Sequence, residues 1–586
     1  MSTSIDPVGA LGTGIGAASF FIQLIQGCVA GFSLWQQAEA VGSEALIFEV
    51  RLNNQAAKLK AWAQQWGVEE GQYGRYFTDL KFNEYGTQAV NSVLMVSSLL
   101  DALKDMNDEL PILHKAAVQS NIAGSSLENL SKVREPQPWN FVSNLDEWER
   151  KMRDLRGAAN LNERLAWALE NGKASDTLEN IERLINDIYV LLPPPNPDPA
   201  LTVLLNKTLP SNNIALLNTV PQQIPNNPLL CGLALIRSAT LQLELRNNIL
   251  SKININKNQR DFKPVKLEEK NNREFGTFRG DDVLSEWKMV DSRKAETIGL
   301  GSIFRGYMEV RIKNGARLLM SDGKPEELRT LPCLGMITRS GKSDSETLYG
   351  LLYKTPSKIC FSLLELLKNS TDKFWLDDRY SSALIISKAI LYLHLAGWLH
   401  KGIRGGNILF FQDPGTNGID YAKPYLVGFD YSRENAPNAQ TEDVIDDLEW
   451  NLYRHPDVQG VPVEKGKSDA EGESVITPKK GGRIPFSAIY DIYSFGVVLL
   501  EIALMEPVWD MYQRAIRDPN YQSHSASAFR LWLLDHIVPQ LGPRAGKAYY
   551  EAAKSCLDGS LLVDSDKSLS ESFYLQVIQK LERHTS

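Results

Sequence analysis

The stretch SSALIISKAILYLHLAGWLHKGIRGGNILFF, residues 381–411, constrains this chain more than any other. Ile385, Ala389, Tyr392 and Leu393 recur at intervals of three and four, the spacing of a helix with a buried face. Gly397 and Trp398 end that helix, and His400 opens a short loop rich in glycine. Ile408, Leu409, Phe410 and Phe411 then form an apolar run of the length of a buried strand.

The order helix, HKGIRGGN, strand resembles the catalytic loop of protein kinases, whose pattern is H-R-D-L-x-x-x-N. On that pattern His400 keeps the His, Lys401 replaces the Arg, and Asn407 keeps the metal-binding Asn. Gly402 stands where the catalytic Asp belongs. The loop is degenerate, and no catalytic residue is expected in it.

A chain of 586 residues has room for several domains. Its net charge of −8 argues against nucleic acid as a partner, because a phosphate-binding surface needs clustered Lys and Arg. Cys28, Cys231, Cys333, Cys360 and Cys556 lie far apart, with no metal-ligand or disulfide-framework spacing. That is the pattern of reduced intracellular thiols. The histidines are scattered too, so no metal site is expected.

The N-terminus carries a second strong signal. Residues 7–38 contain no charged side chain, and the first basic residue is Arg51, which does not suit the basic start of a secretory signal. Val8, Leu11, Ile15, Ala18, Ile22, Ile25, Val29 and Phe32 keep alternating spacings of three and four. Gly12 with Gly16, and Gly27 with Gly31, are pairs at the spacing that lets helix backbones approach closely. A helix of about 25 residues rises ~37 Å, enough for a hydrocarbon core of ~30 Å. Gln23, Gln26, Gln36 and Gln37 make it too polar for an ordinary transmembrane helix. Two readings stay open: a core helix of a bundle, or a segment that enters membranes conditionally, and both can hold in different states. Val8, Leu11, Ile15, Ile22, Ile25, Val29 and Phe32 are the candidate membrane-active residues.

Helical periodicity continues to about residue 192. Ala45, Phe48, Leu52, Gln55, Leu59, Trp62 and Trp66 form one stripe, and Leu178, Ile181, Ile185 and Ile188 another. Between them lie Val90, Val93, Leu94, Ser97 and Leu100, then Leu155, Leu161, Leu165 and Leu169. Long helices with polar outer faces predict an antiparallel bundle. The Pro-rich residues 193–199 cannot continue a helix and read as a stiff linker, with a brace following to about residue 260. The segment from IDPVGALGTGIGAASFFIQLIQGCVAGFSLWQQA to the KAWAQQWGV ending resembles the fungal HeLo domain of the HET-s prion-incompatibility proteins. Such domains are similar to the executioner bundle of mixed-lineage-kinase-domain-like necroptosis proteins. That resemblance implies membrane lipids as partners on activation, self-assembly through the bundle, and an upstream sensor or amyloid-signalling protein. It also implies a cytoplasmic protein that moves to the plasma membrane. The family's amyloid-forming tail has no match here.

The C-terminal part follows the kinase pattern element by element. Residues 281–288, DDVLSEWK, have strand character and end in Lys288, the candidate for the Lys that grips nucleotide phosphates, or else a surface Lys at a strand end. Residues 301–320 read as the next helix, with Glu309 as partner for Lys288. LRTLPCLGM and ETLYGLLYKTP read as two strands before a hinge, and FSLLELLKN as the helix after it. Upstream, EFGTFRGDD offers only Gly276 and Gly280 in place of G-x-G-x-x-G, a pairing shared with ordinary turns. In residues 424–433, PYLVGFDYSR, Gly428 replaces the Asp of the metal-binding Asp-Phe-Gly and Asp430 replaces its Gly. A carboxylate moved two residues along lies ~6–7 Å away. YRHPD resembles the segment closing the activation loop, and residues 464–482 read as an insertion. YDIYSFGVVLLEIAL is the strongest match, a helix whose Asp491 is expected to hydrogen-bond the catalytic-loop backbone.

The fold expected is multidomain: an all-α helical bundle over residues 1–192, the linker and brace over 193–260, and an α+β two-lobed kinase-like domain over 261–586. One reading is a cell-death or heterokaryon-incompatibility effector in which a pseudokinase controls a membrane-targeting bundle. The alternative is an unconventional or weak Ser/Thr kinase using Asp430 or Asp413, with a regulatory bundle. A scaffold without membrane activity is the third. Gly402 and Gly428 discriminate the first two, since phosphoryl transfer depends on carboxylates that orient the hydroxyl and hold magnesium. No cofactor is required. Lys288, Glu309, Asn407 and Asp430 are the candidates to hold ATP, which would bind weakly.

Overall fold

The computed structural model describes residues 28, 32, 43–66, 95, 173–194, 197–244, 255–268, 272–291, 301–321, 323–343, 345–369, 374–413, 415–416, 418–429, 432–435, 447–459, 485–521, 525–562 and 567–582. Of the stripes read from the sequence, those at residues 90–100 and 155–169 lie outside them. The chain forms two compact units, Met1–Ala234 and Leu235–Ser586.

In the first unit the helix Ser43–Gln65 (α1) is buried on nearly all sides. Its expected stripe from Ala45 to Trp66 lies inside, and so do Asn53, Asn54 and Gln55. The surroundings explain this: Lys173–Leu191 (α2), Pro199–Leu205 (α3) and Ile214–Gln223 (α4) all pack against α1. Helix α2 turns Leu178, Ile181, Ile185 and Ile188 inward, as their spacing predicts, and stops two residues before Pro193. Trp62 Nε1 donates to the Leu192 carbonyl at 2.8 Å, so the buried indole keeps a partner. Asn53 Nδ2 donates to Thr208 Oγ1 at 3.2 Å. Asp198 caps α3 by accepting the Ala200 N–H, with Pro199 at the first helical position, where its missing donor costs nothing. The helix Pro228–Glu244 (α5) contains the division between the units.

The second unit opens with a five-stranded antiparallel sheet. Phe262–Glu268 (β1), Arg273–Phe278 (β2), Asp281–Asp291 (β3), Cys333–Ser340 (β4) and Glu346–Lys354 (β5) lie in the order β1-β2-β3-β5-β4. The helix Gly301–Leu319 (α6) falls between β3 and β4 in the chain. Phe262, Phe278, Val283, Trp287, Ile337 and Leu352 form the core on one face. The β2–β3 turn has two residues, Arg279 (φ 53°) and Gly280 (φ 95°), a hairpin connection that fixes register. Gly276 lies inside β2, where a Cβ would come 2.3 Å from the Lys263 carbonyl oxygen. Neither glycine therefore belongs to a phosphate-covering loop; the β1–β2 connection is 269–272, Glu-Lys-Asn-Asn.

The remainder is mostly helical. Cys360–Ser362 (β6) leads into Leu363–Lys368 (α7), closed at its start by a Ser362–Glu365 capping box. Leu376–Leu395 (α8) is followed by Trp398–Leu399 (β7), Ile408–Phe411 (β8), Tyr425–Leu426 (β9) and Arg433–Glu434 (β10). These short strands pair as β6-β8-β9 and β10-β7. Ala488–Leu504 (α9) is buried at every position from Tyr490 onward, as a helix apolar all round must be. It packs against α8 and against Leu541–Asp558 (α10). Among the described residues no single helix is long and apolar enough to cross a membrane.

Candidate functional site

The loop between β7 and β8 is hung from α9. Asp491, wholly buried, accepts the His400 N–H on Oδ2 and the Lys401 N–H on Oδ1, each at 2.8 Å. Lys401 adopts φ 63°, a left-handed conformation that those two bonds over-determine. His400 is buried, with its ring 4.5 Å from that of Phe429, and its Nδ1 accepts the Gly402 N–H at 3.2 Å. Burial lowers its pKa, against the opposing pull of Asp491 and Glu286, which keeps the imidazole neutral.

Asn407 is the centre of the site. Its Nδ2 donates to the Gly402 carbonyl at 2.7 Å, and its Oδ1 accepts from Arg273 Nη2 at 2.6 Å. Arg273 comes from the first position of β2 and is 1% exposed. Its Nη1 donates to the Gly406 carbonyl at 2.6 Å and its Nε to Glu286 Oε1 at 3.0 Å. Arg273 and Glu286 face each other directly in the β2–β3 register. Glu286 Oε2 accepts the Gly428 N–H at 2.8 Å, so both its oxygens are used. The structure thus draws Gly402, Asn407 and Gly428 together, around an Arg–Glu pair absent from the residues singled out by sequence.

The other candidates are placed as follows. Lys288 lies two residues beyond Glu286 on β3, on the same face of the strand, and is buried. Glu309 lies on α6, where its carboxylate pairs with Lys313 one turn on. Asp413 follows β8, and its two oxygens accept the Gly415 N–H and the Thr416 hydroxyl in its own turn. Asp430 lies outside the described residues. So do Val8, Leu11, Ile15, Ile22, Ile25 and Val29, whereas Phe32 is helical and buried.

A kinase fold implies magnesium and a nucleotide, and the described residues of the site do not suit that metal. Asn407 Oδ1 is taken by a guanidinium, and neither Gly402 nor Gly428 offers a carboxylate. A Cβ at Gly428 would stand 2.2 Å from Asn407 Nδ2, on a residue with φ 86°. Among the described residues no cluster of His, Cys, Asp or Glu is placed to hold a metal ion.

The antiparallel sheet, the helical part and the Asp491-anchored loop define a protein-kinase-like unit that follows a helical one. Residues 12–220 match the family model of the HeLo domain, described as prion-inhibition and propagation, so the N-terminal part of this chain is a HeLo domain. The C-terminal region has weak similarity to cysteine-rich receptor-like protein kinase 34 of Arabidopsis thaliana. Identity is 23% over 319 residues, covering 51% of this chain and 42% of that kinase. The chain therefore spans less than half the length of that relative.

Proposed function

We propose that this chain is a fungal signalling effector of the cell-death or heterokaryon-incompatibility type, in which a kinase-like unit without phosphoryl-transfer chemistry controls a membrane-acting HeLo domain. The reading is carried by glycine at both carboxylate positions, Gly402 in the β7–β8 loop and Gly428 after β9, while the supports of that loop are intact. Asp491 still holds the backbone of that loop, and Asn407 still bridges its two ends. Selection on catalysis would keep the two carboxylates that orient the hydroxyl and bind magnesium. Selection on a sensor or latch needs only the scaffold. ATP, where it binds, does so weakly and without need of magnesium.

In this reading the charge-free opening segment packs within the HeLo unit at rest and enters a bilayer on activation. Its Gln residues make insertion of a single helix costly, which favours an assembly that turns them toward one another or a water-filled lumen. Membrane lipids and further copies of the chain are then its partners, and the protein moves from cytoplasm to plasma membrane. Dye release from liposomes by the first unit, Met1–Ala234, with its wild-type sequence and with Gly12→Glu, tests this. A folded Gly12→Glu protein that loses release supports the mechanism, and one that permeabilises like wild type removes it.

A further inference from the structure

We infer that Arg273 is a built-in cation that replaces the divalent metal of a kinase cleft, clamping the sheet to the catalytic loop and keeping metal–nucleotide complexes out. The inference rests on the kinase-like character of the second unit and not on what the HeLo domain does. Its first ground is the chemistry of the acceptors. Arg273 donates to a carboxylate oxygen of Glu286, the Gly406 carbonyl and Asn407 Oδ1. All three are hard oxygen donors, the kind that surround magnesium. Asn407 is also the one metal-ligand position of the kinase pattern that this chain retains.

The second ground is charge balance. Gly428 removes the carboxylate that would face the metal, and Glu286 supplies one from β3 instead, with its Oε2 on the Gly428 N–H. Within the cluster one guanidinium thus faces one carboxylate. A divalent ion would have to displace a buried, fully engaged side chain and, among the described residues, would meet one carboxylate in the cluster, that of Glu286. The third ground is geometry. Arg273 is fixed opposite Glu286 by the β2–β3 register and leads out of a β1–β2 connection without glycine. The side chain therefore reaches from the sheet to the loop with its backbone tied at the origin.

The test uses the purified full-length chain. Manganese titration followed by electron paramagnetic resonance should leave the free-ion signal of wild type unchanged through the millimolar range. Arg273→Ala should lose several degrees of melting temperature, since it leaves a buried carboxylate without its cation. Millimolar methylguanidinium should restore that loss and leave wild type unmoved. The same variant should acquire a manganese site, which a further Asn407→Ala change abolishes. A folded Arg273→Ala protein that neither responds to methylguanidinium nor binds manganese overturns the inference. If Arg273→Ala fails to fold, the wild-type titration decides: manganese binding abolished by Asn407→Ala overturns the clamp, and a silent titration upholds it.

Discussion

Asp491 accepts the main-chain N–H groups of His400 and Lys401, one on each carboxylate oxygen and both at 2.8 Å. The loop is thereby held in a kinase-like path, with Gly402 at the position of the catalytic Asp. Replacing Asp491 by Ala strands two buried donors, each worth ~1–3 kcal/mol of lost satisfaction. Asp491→Ala should destabilise the second unit by roughly 2–5 kcal/mol in urea unfolding, and Asp491→Asn, which keeps one acceptor, by less. Equal stability of all three proteins would mean the contact carries no weight.

Gly402 and Gly428 differ in how far a carboxylate can be restored. A Cβ at Gly402 meets the Gly428 carbonyl oxygen at 3.2 Å and Asn407 Nδ2 at 3.3 Å, tight but open to small adjustment. At Gly428 it meets Asn407 at 2.2 Å on a left-handed residue. Gly402→Asp should cost roughly 1 kcal/mol and Gly428→Asp roughly 2–4 kcal/mol. Neither variant, nor the pair, should incorporate label from radiolabelled ATP above a Lys288→Ala control. Incorporation by wild type above that control would instead favour the weak-kinase reading.

Glu501 on α9 is wholly buried, and burial pushes its pKa from 4.5 up to about 7. The Tyr453 hydroxyl at 2.6 Å and the Val508 N–H at 2.9 Å oppose that shift without cancelling it. Folded protein holds this proton between about pH 4.5 and about pH 7 while the unfolded chain has lost it. The stability the group contributes is therefore full below about pH 4.5, falls as pH rises through that window, and is constant above about pH 7. The loss is on the order of 3 kcal/mol. Glu501→Gln does not titrate, so its stability relative to wild type should rise by roughly 2–3 kcal/mol from about pH 5 to about pH 8. A difference that stays flat across that range would contradict the assignment.

Local patterns made most of the second unit legible. The apolar runs at Ile408–Phe411 and in Ala488–Leu504, and the successive strands ending at Lys354, form the elements their composition predicts. Asp491 was readable too, because its helix carries a strong pattern of its own. Arg273 was not. Its acceptors at Gly406 and Asn407 lie more than 130 residues away, and nothing local marks such a contact. One signal was present: in Phe278-Arg279-Gly280-Asp281 a two-residue turn sets the register, and counting back along both strands puts Arg273 opposite Glu286. Gly276 and Gly280 drew the reading elsewhere, because a glycine needed for close backbone approach resembles one that cradles phosphate.

In the first unit, buried area should outweigh the part-buried ion pair between α1 and α2. Trp62 is fully buried and hydrogen-bonded, whereas the Arg51–Glu182 pair, at 2.8 Å, keeps side-chain exposures of 21% and 25%. Trp62→Ala should cost roughly 3–5 kcal/mol, and Arg51→Ala, which removes a part-buried bidentate pair at 3.0 and 2.8 Å, about 1–2 kcal/mol. Thermal unfolding of the two variants checks the ranking, and a costlier Arg51→Ala would reverse the account of what holds α1 and α2 together.

Separating the two units in cells tests whether the kinase-like unit restrains a membrane-acting HeLo unit. Residues of the first unit, Met1–Ala234, expressed alone and compared with the full chain, are followed for membrane fractionation and viability. The isolated unit should collect at the plasma membrane and kill, while the full chain should stay in the cytosol and be tolerated. A folded first unit that remains cytosolic and harmless, or a full chain that kills as readily as the isolated unit, would contradict this expectation.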